Sequence, residues 1–138
     1  MSDQHELFPS GLSSSQFERL TECANMAELI RWEDLKRRVD QHIELTRSEH
    51  QRNRVVNLRL ALAIQVVIDS LFDSLPAIET GHAWWLRGAI YYFAACDDDE
   101  PDFRSPIGFE DDAEILNACL KFAGRRNLCL NVEEFDDA

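Results

Sequence analysis

The sequence predicts an all-α protein, a compact single-domain bundle of about five helices. Three observations carry this. Turn punctuation is sparse, with 5 Gly and 4 Pro in 138 residues, whereas a sandwich or barrel needs a break every few residues. Apolar side chains recur at spacings of three and four, the signature of helices that bury one face. With 45% apolar residues, the chain is long enough for one core and too short for two ordinary domains.

Residues 1–12 contain Pro9 and Gly11 without periodicity and are expected to form a flexible N-terminal arm. The single domain is expected over 13–132. Ser13, Ser14 and Ser15 offer N-caps, and Glu18 follows Ser15 by three residues, as in a capping box. Phe17, Leu20, Ala24 and Ala27 then form one stripe of a first helix. Trp32, Leu35, Val39 and Ile43 continue the spacing through Lys36, Arg37 and Arg38, which predicts a second helix over 32–48. The polar run from Thr46 to Asn53 reads either as a turn or as the exposed start of helix three.

From Val55 to Leu75 apolar residues lie on almost every side, so this segment is expected to be the central and most buried element, ended by Pro76. A fourth helix is expected to open at Gly81 and His82 and run through Trp84, Trp85, Ile90 and Phe93 until the acids begin. Of the two tryptophans, one is expected in the core and the other as a half-exposed anchor. Asp97 to Phe109 reads as a loop. The last helix starts near Asp111 and runs to Gly124, a suitable C′ residue. Leu128, Leu130 and Val132 are expected to pack down as a short tail before an acidic terminus, 133–138.

Net charge is −12 and unevenly placed. Residues 1–59 carry nine basic and ten acidic side chains and residues 60–138 carry five and sixteen, a split of −1 against −11. An acidic half repels phosphate backbones, so nucleic acid is not an expected partner. Attraction to a basic protein is the natural alternative. Cys23, Cys96, Cys119 and Cys129 form no C-x-x-C pair and read as small buried hydrophobes. The polar N-terminus lacks a signal-peptide pattern, and no apolar run approaches the roughly 20 residues of a membrane span. A cytoplasmic protein without a transmembrane segment is the expectation.

The run YFAACDDDEPDFRSPIGFEDDA, Tyr92 to Ala113, resembles the core motif of the YkvA-like family of bacterial helical domains. Tyr92, Asp98, Pro101, Asp102, Phe103, Ile107, Gly108, Phe109, Asp111, Asp112 and Ala113 carry the resemblance, without a gap. It implies an apolar helix on either side of the motif and no particular activity. Family members often look membrane-associated because their loop is greasy. Here Asp97, Asp99, Glu100, Arg104 and Glu110 stand at apolar positions of the family pattern, and Cys96 replaces a proline. Charges there oppose insertion into lipid.

Three readings of these acids stand side by side. Asp111 and Asp112 suit the start of a helix, where a carboxylate satisfies free N–H groups and opposes the dipole. Asp98, Asp102, Asp111 and Asp112 would instead hold Mg²⁺ or Ca²⁺ if they converged. Asp97, Asp98, Asp99, Glu100, Asp102 and Glu110 would otherwise meet Lys or Arg on a partner.

Other chemistry is sparsely indicated. His5, His42, His50 and His82 lack metal-ligand spacing and read as surface or helix-end residues. P-loop, G-x-G-x-x-G and G-x-S-x-G motifs are missing. Lys36, Arg37 and Arg38, flanked by Glu33, Asp34 and Asp40, read as a solvated helix face. The leading expectation is a non-enzymatic acidic protein-binding domain without catalytic residues or a required cofactor. Such a domain would dock on a basic partner in the manner of an immunity protein, antitoxin or inhibitor. The alternatives are a divalent-cation-dependent enzyme or regulator built on the four aspartates, and a peripheral membrane protein. Oligomeric state is not encoded in any motif.

Overall fold

The computed structural model describes residues 8–54, 56–74, 77–94 and 109–135. These residues are all-α, with α1 Ser14–Ala27, α2 Trp32–Arg52, α3 Leu58–Ser74, α4 Thr80–Ala94 and α5 Glu110–Phe122. Two 3-10 turns follow, Arg126–Leu128 and Val132–Phe135, and no strand occurs among the described residues.

α1 begins where Ser13 adopts an extended conformation and its hydroxyl accepts the Gln16 N–H, while the Gln16 side chain accepts the Ser13 N–H. The capping box is therefore Ser13 with Gln16, two residues earlier than the Ser15 and Glu18 pair expected from the sequence. Leu20, Ala24 and Ala27 are fully buried along one stripe, as the spacing predicted. Before α1, Pro9 is buried and the Phe8 ring lies 5.3 Å from Phe17. Residues 1–7 lie outside the described residues.

α2 has no side-chain N-cap, but Glu33 and Asp34 in its first turn and His50 and Arg52 in its last oppose the helix dipole. It runs through the polar segment to Arg52, so Thr46 to Asn53 is neither a turn nor the start of the next helix. Thr46 is buried and its hydroxyl donates back to the His42 carbonyl at 2.7 Å, satisfying itself inside the helix. Asn57 accepts the Leu60 N–H and caps α3.

α4, not α3, is the central element: it packs on α1, α5 and α2, whereas α3 packs chiefly on α2. α3 is apolar nearly all round, yet Val66 on it is 64% exposed. The physical reason lies at Gly88, where an added Cβ would sit 2.8 Å from the Ala24 Cβ and 3.0 Å from its backbone N and Cα. Missing side-chain atoms let α4 approach α1 to backbone contact.

α5 ends on a Schellman motif: Gly124 takes φ +77°, its N–H reaches the Lys121 carbonyl at 3.2 Å, and the Arg125 N–H reaches Leu120 at 2.7 Å. The tail then folds back. Asn117 brackets Leu130, accepting from its N–H at 2.8 Å and donating to its carbonyl at 2.9 Å. Leu128, Leu130 and Val132 pack against the core, as expected. Among the described residues no helix is long and apolar enough to cross a membrane.

Candidate functional site

The described part of the motif places Asp111 at a junction of three helices. Tyr92 of α4 donates its hydroxyl to Asp111 Oδ2 at 2.9 Å, and Gln16 of α1 donates its amide to Asp111 Oδ1 at 2.7 Å. The same amide donates to Glu114 Oε1 at 2.9 Å. One glutamine thus closes the α1 cap with its oxygen and ties α5 with its nitrogen. Burial, together with the hydrogen bond to Asp111 and its charge, pushes the Tyr92 phenol well above its ordinary value, while Arg19 opposes this. The Arg19 guanidinium lies over the Tyr92 ring at 5.3 Å.

The N-cap of α5 is Phe109, fully buried and without a side-chain cap bond. Glu110, Asp111 and Asp112 occupy the first turn, so they oppose the dipole by charge and none of them is the capping residue. Asp112 is 3% exposed. Asp97, Asp98, Asp99, Glu100 and Asp102 lie outside the described residues. Glu110 is half-buried at the start of α5. Among the described residues no group of three or more His, Cys, Asp or Glu side chains is placed to hold a metal ion.

His42 departs from the surface position expected of it: it is 1% exposed, on the buried stripe of α2 with Leu35, Val39, Ile43 and Thr46. Its ring stands edge-on to Phe93 at 5.0 Å and Phe109 at 6.0 Å, joining α2 to α4 and to the start of α5. The signal was its place in the stripe, three residues after Val39 and four before Thr46. His50 lies in the last turn of α2, and His82 near the start of α4 packs edge-on against Phe122 at 4.9 Å.

Arg87 is a second residue the sequence reading passed over. It reaches the end of α1, donating to the Ala27 carbonyl at 2.8 Å and also to Ile30, and stacks on Trp32 at 4.5 Å. Burial lowers its pKa, against the opposing pull of Glu28. Trp85 is buried and Trp84 half-buried, donating its indole N–H to Glu28 at 2.9 Å, which matches the expected division between core and anchor. Trp32, Trp84, Arg87 and Glu28 line a pocket of about 510 Å³.

Cys119 is buried, and Cys23 and Cys129 are half-buried. Burial raises the Cys119 thiol, and raises Cys129 against Lys121 and Arg126, so neither is poised as a thiolate nucleophile. Cys96 lies outside the described residues.

A larger groove of about 840 Å³ opens between the α1–α2 turn, α2 and α4. Its lining includes Leu29, Asp34, Arg37, Arg38, Leu45 and Tyr91. Compared with protein-family models, curated proteins and solved structures, the chain matches none of them.

Proposed function

We propose that this chain is a non-enzymatic, acidic protein-binding domain that works in the cytoplasm and docks on a basic partner, as an immunity protein, antitoxin or inhibitor does. The observation that carries the reading is the way charge is consumed. Bases of the N-terminal half lie beside acids: Arg31 by Glu33, Arg37 by Asp34, Arg47 by Glu44, Arg52 by Glu49, and Lys36 by Asp40 and Asp69. In the C-terminal half, Arg87 turns inward to backbone carbonyls. That half carries −11, and Asp73, Glu114, Glu133 and Glu134 on it are exposed. Such a surface attracts a cationic protein over a Debye length of about 10 Å at moderate salt.

The acids Asp97, Asp98, Asp99, Glu100, Asp102 and Glu110 are proposed as the contact positions, on a YkvA-like motif whose apolar loop has been made acidic. Salt titration of the complex tests this, together with the triple variant Asp97→Asn, Asp99→Asn, Glu100→Gln. Binding that falls with salt and with neutralisation supports the reading; a partner whose binding is indifferent to both contradicts it.

A further inference from the structure

The three consecutive bases of α2 do not share one solvated face. Lys36 turns toward α3, where Asp69 lies 3.2 Å away, and its pKa, lowered by burial, is raised overall by Asp69 and Asp40. Arg37 and Arg38 turn instead to the groove beside α4. Arg37 is paired with Asp34 at 2.6 Å, and Arg38 lies over the Tyr91 ring at 5.7 Å.

The same groove gathers exposed apolar surface. Five large hydrophobic side chains are exposed among the described residues, and two of them, Leu29 at 84% and Leu45 at 44%, line it. Ile30, Tyr91 and Ala94 continue the apolar wall between them. The charged side chains of the lining are Asp34, Arg37 and Arg38, a net +1 on a chain of charge −12. It is the composition of a recognition groove, since isolated exposed leucines need no explanation but a converging pair with a cationic rim does.

We propose that this groove docks an acidic amphipathic helix of a partner protein, its apolar side chains against Leu29, Leu45 and Tyr91 and its carboxylates on Arg37 and Arg38. An α-helix presents apolar residues at i, i+3 or i+4 and i+7 along one edge, which a groove walled by two other helices accepts. Acidic flanks complement the arginines and are disfavoured along the C-terminal half, which carries −11. The groove argument does not draw on the acids proposed to meet a basic partner, so either reading stands or falls alone.

The test is fluorescence anisotropy of the full chain with a labelled peptide of about 16 residues, carrying Leu at helical spacing and Glu elsewhere. Matched peptides replace Glu by Lys or Leu by Ser. The Leu/Glu peptide is expected to bind, with loss of about tenfold on Arg37→Gln with Arg38→Gln, and of similar size on Leu29→Ser. These positions are exposed, and circular dichroism of each variant checks that the fold is retained. Equal or tighter binding of the Lys peptide, or undiminished binding to the Arg37→Gln, Arg38→Gln variant, overturns the proposal. So does a Leu/Glu peptide that fails to bind. Sedimentation that shows the groove filled by a second copy overturns it too, as does peptide binding seen only after Asp97, Asp99 and Glu100 are neutralised.

Discussion

The Tyr92 hydroxyl donates to Asp111 Oδ2 at 2.9 Å, joining α4 to the first turn of α5 across 19 residues of chain. Because Gln16 holds the other oxygen of the same carboxylate, Asp111 fixes the position of α5 on both α1 and α4. Tyr92→Phe and Asp111→Asn are each expected to destabilise the fold by about 1–2 kcal/mol, the range for a hydrogen bond to a charged acceptor. In a double-mutant cycle from urea unfolding the two losses should be less than additive. Full additivity would mean that the bond contributes nothing to the fold.

The raised Tyr92 phenol gives stability a pH dependence on the alkaline side. Above about pH 10 the unfolded chain loses this proton while the native state keeps it, so the native state binds more protons and stability falls as pH rises. Below that pH the contribution is fully present. Thermal unfolding at pH 8 and about pH 10.5 should show a larger loss for the wild type than for Tyr92→Phe. Equal losses would contradict it.

Gly88→Ala should force α1 and α4 apart. Helix propensity favours Ala by about 1 kcal/mol, but the new Cβ meets the Ala24 backbone and Cβ at 2.8–3.0 Å, and overpacking typically costs about 1–3 kcal/mol. Net destabilisation in thermal melts is expected. Gly81→Ala is the control: nothing lies within 4 Å of its added Cβ, so a gain of roughly 0.5 kcal/mol should appear.

Much of this bundle was legible in the sequence where burial follows period. The Leu20, Ala24 and Ala27 stripe, the Gly124 stop and the division between Trp84 and Trp85 all came from spacing and residue type. Centrality was not legible from hydrophobicity, because α3 is apolar on faces that are partly exposed. The usable signal was Gly88, a glycine inside an otherwise apolar helix, which marks close approach. His42 reads as a surface residue by type and as a core residue by position, since its neighbours Val39, Ile43 and Thr46 are all buried. Ser13 and Gln16 already fit the capping-box pattern, but the tie from Gln16 to Asp111 spans 95 residues and is set by packing alone. The acids at 97–102 lie outside the described residues, so their arrangement rests on the sequence.

Divalent cations discriminate the binding reading from the cation-dependent alternative. Both Asp111 oxygens already accept hydrogen bonds, so millimolar Mg²⁺, Ca²⁺ or Mn²⁺ is expected to leave the melting temperature unchanged. A bound ion must raise it. A rise abolished by Asp98→Asn or Asp111→Asn would favour a metal site.

Recovery of the partner on the immobilised chain, at about 50 mM and then about 300 mM salt, shows whether the acidic half docks on a basic protein. A basic protein is expected to be retained at low salt, released at high salt, and lost from the Asp97→Asn, Asp99→Asn, Glu100→Gln variant. Failure to retain any basic protein at low salt, or retention untouched by salt and by that variant, would contradict it.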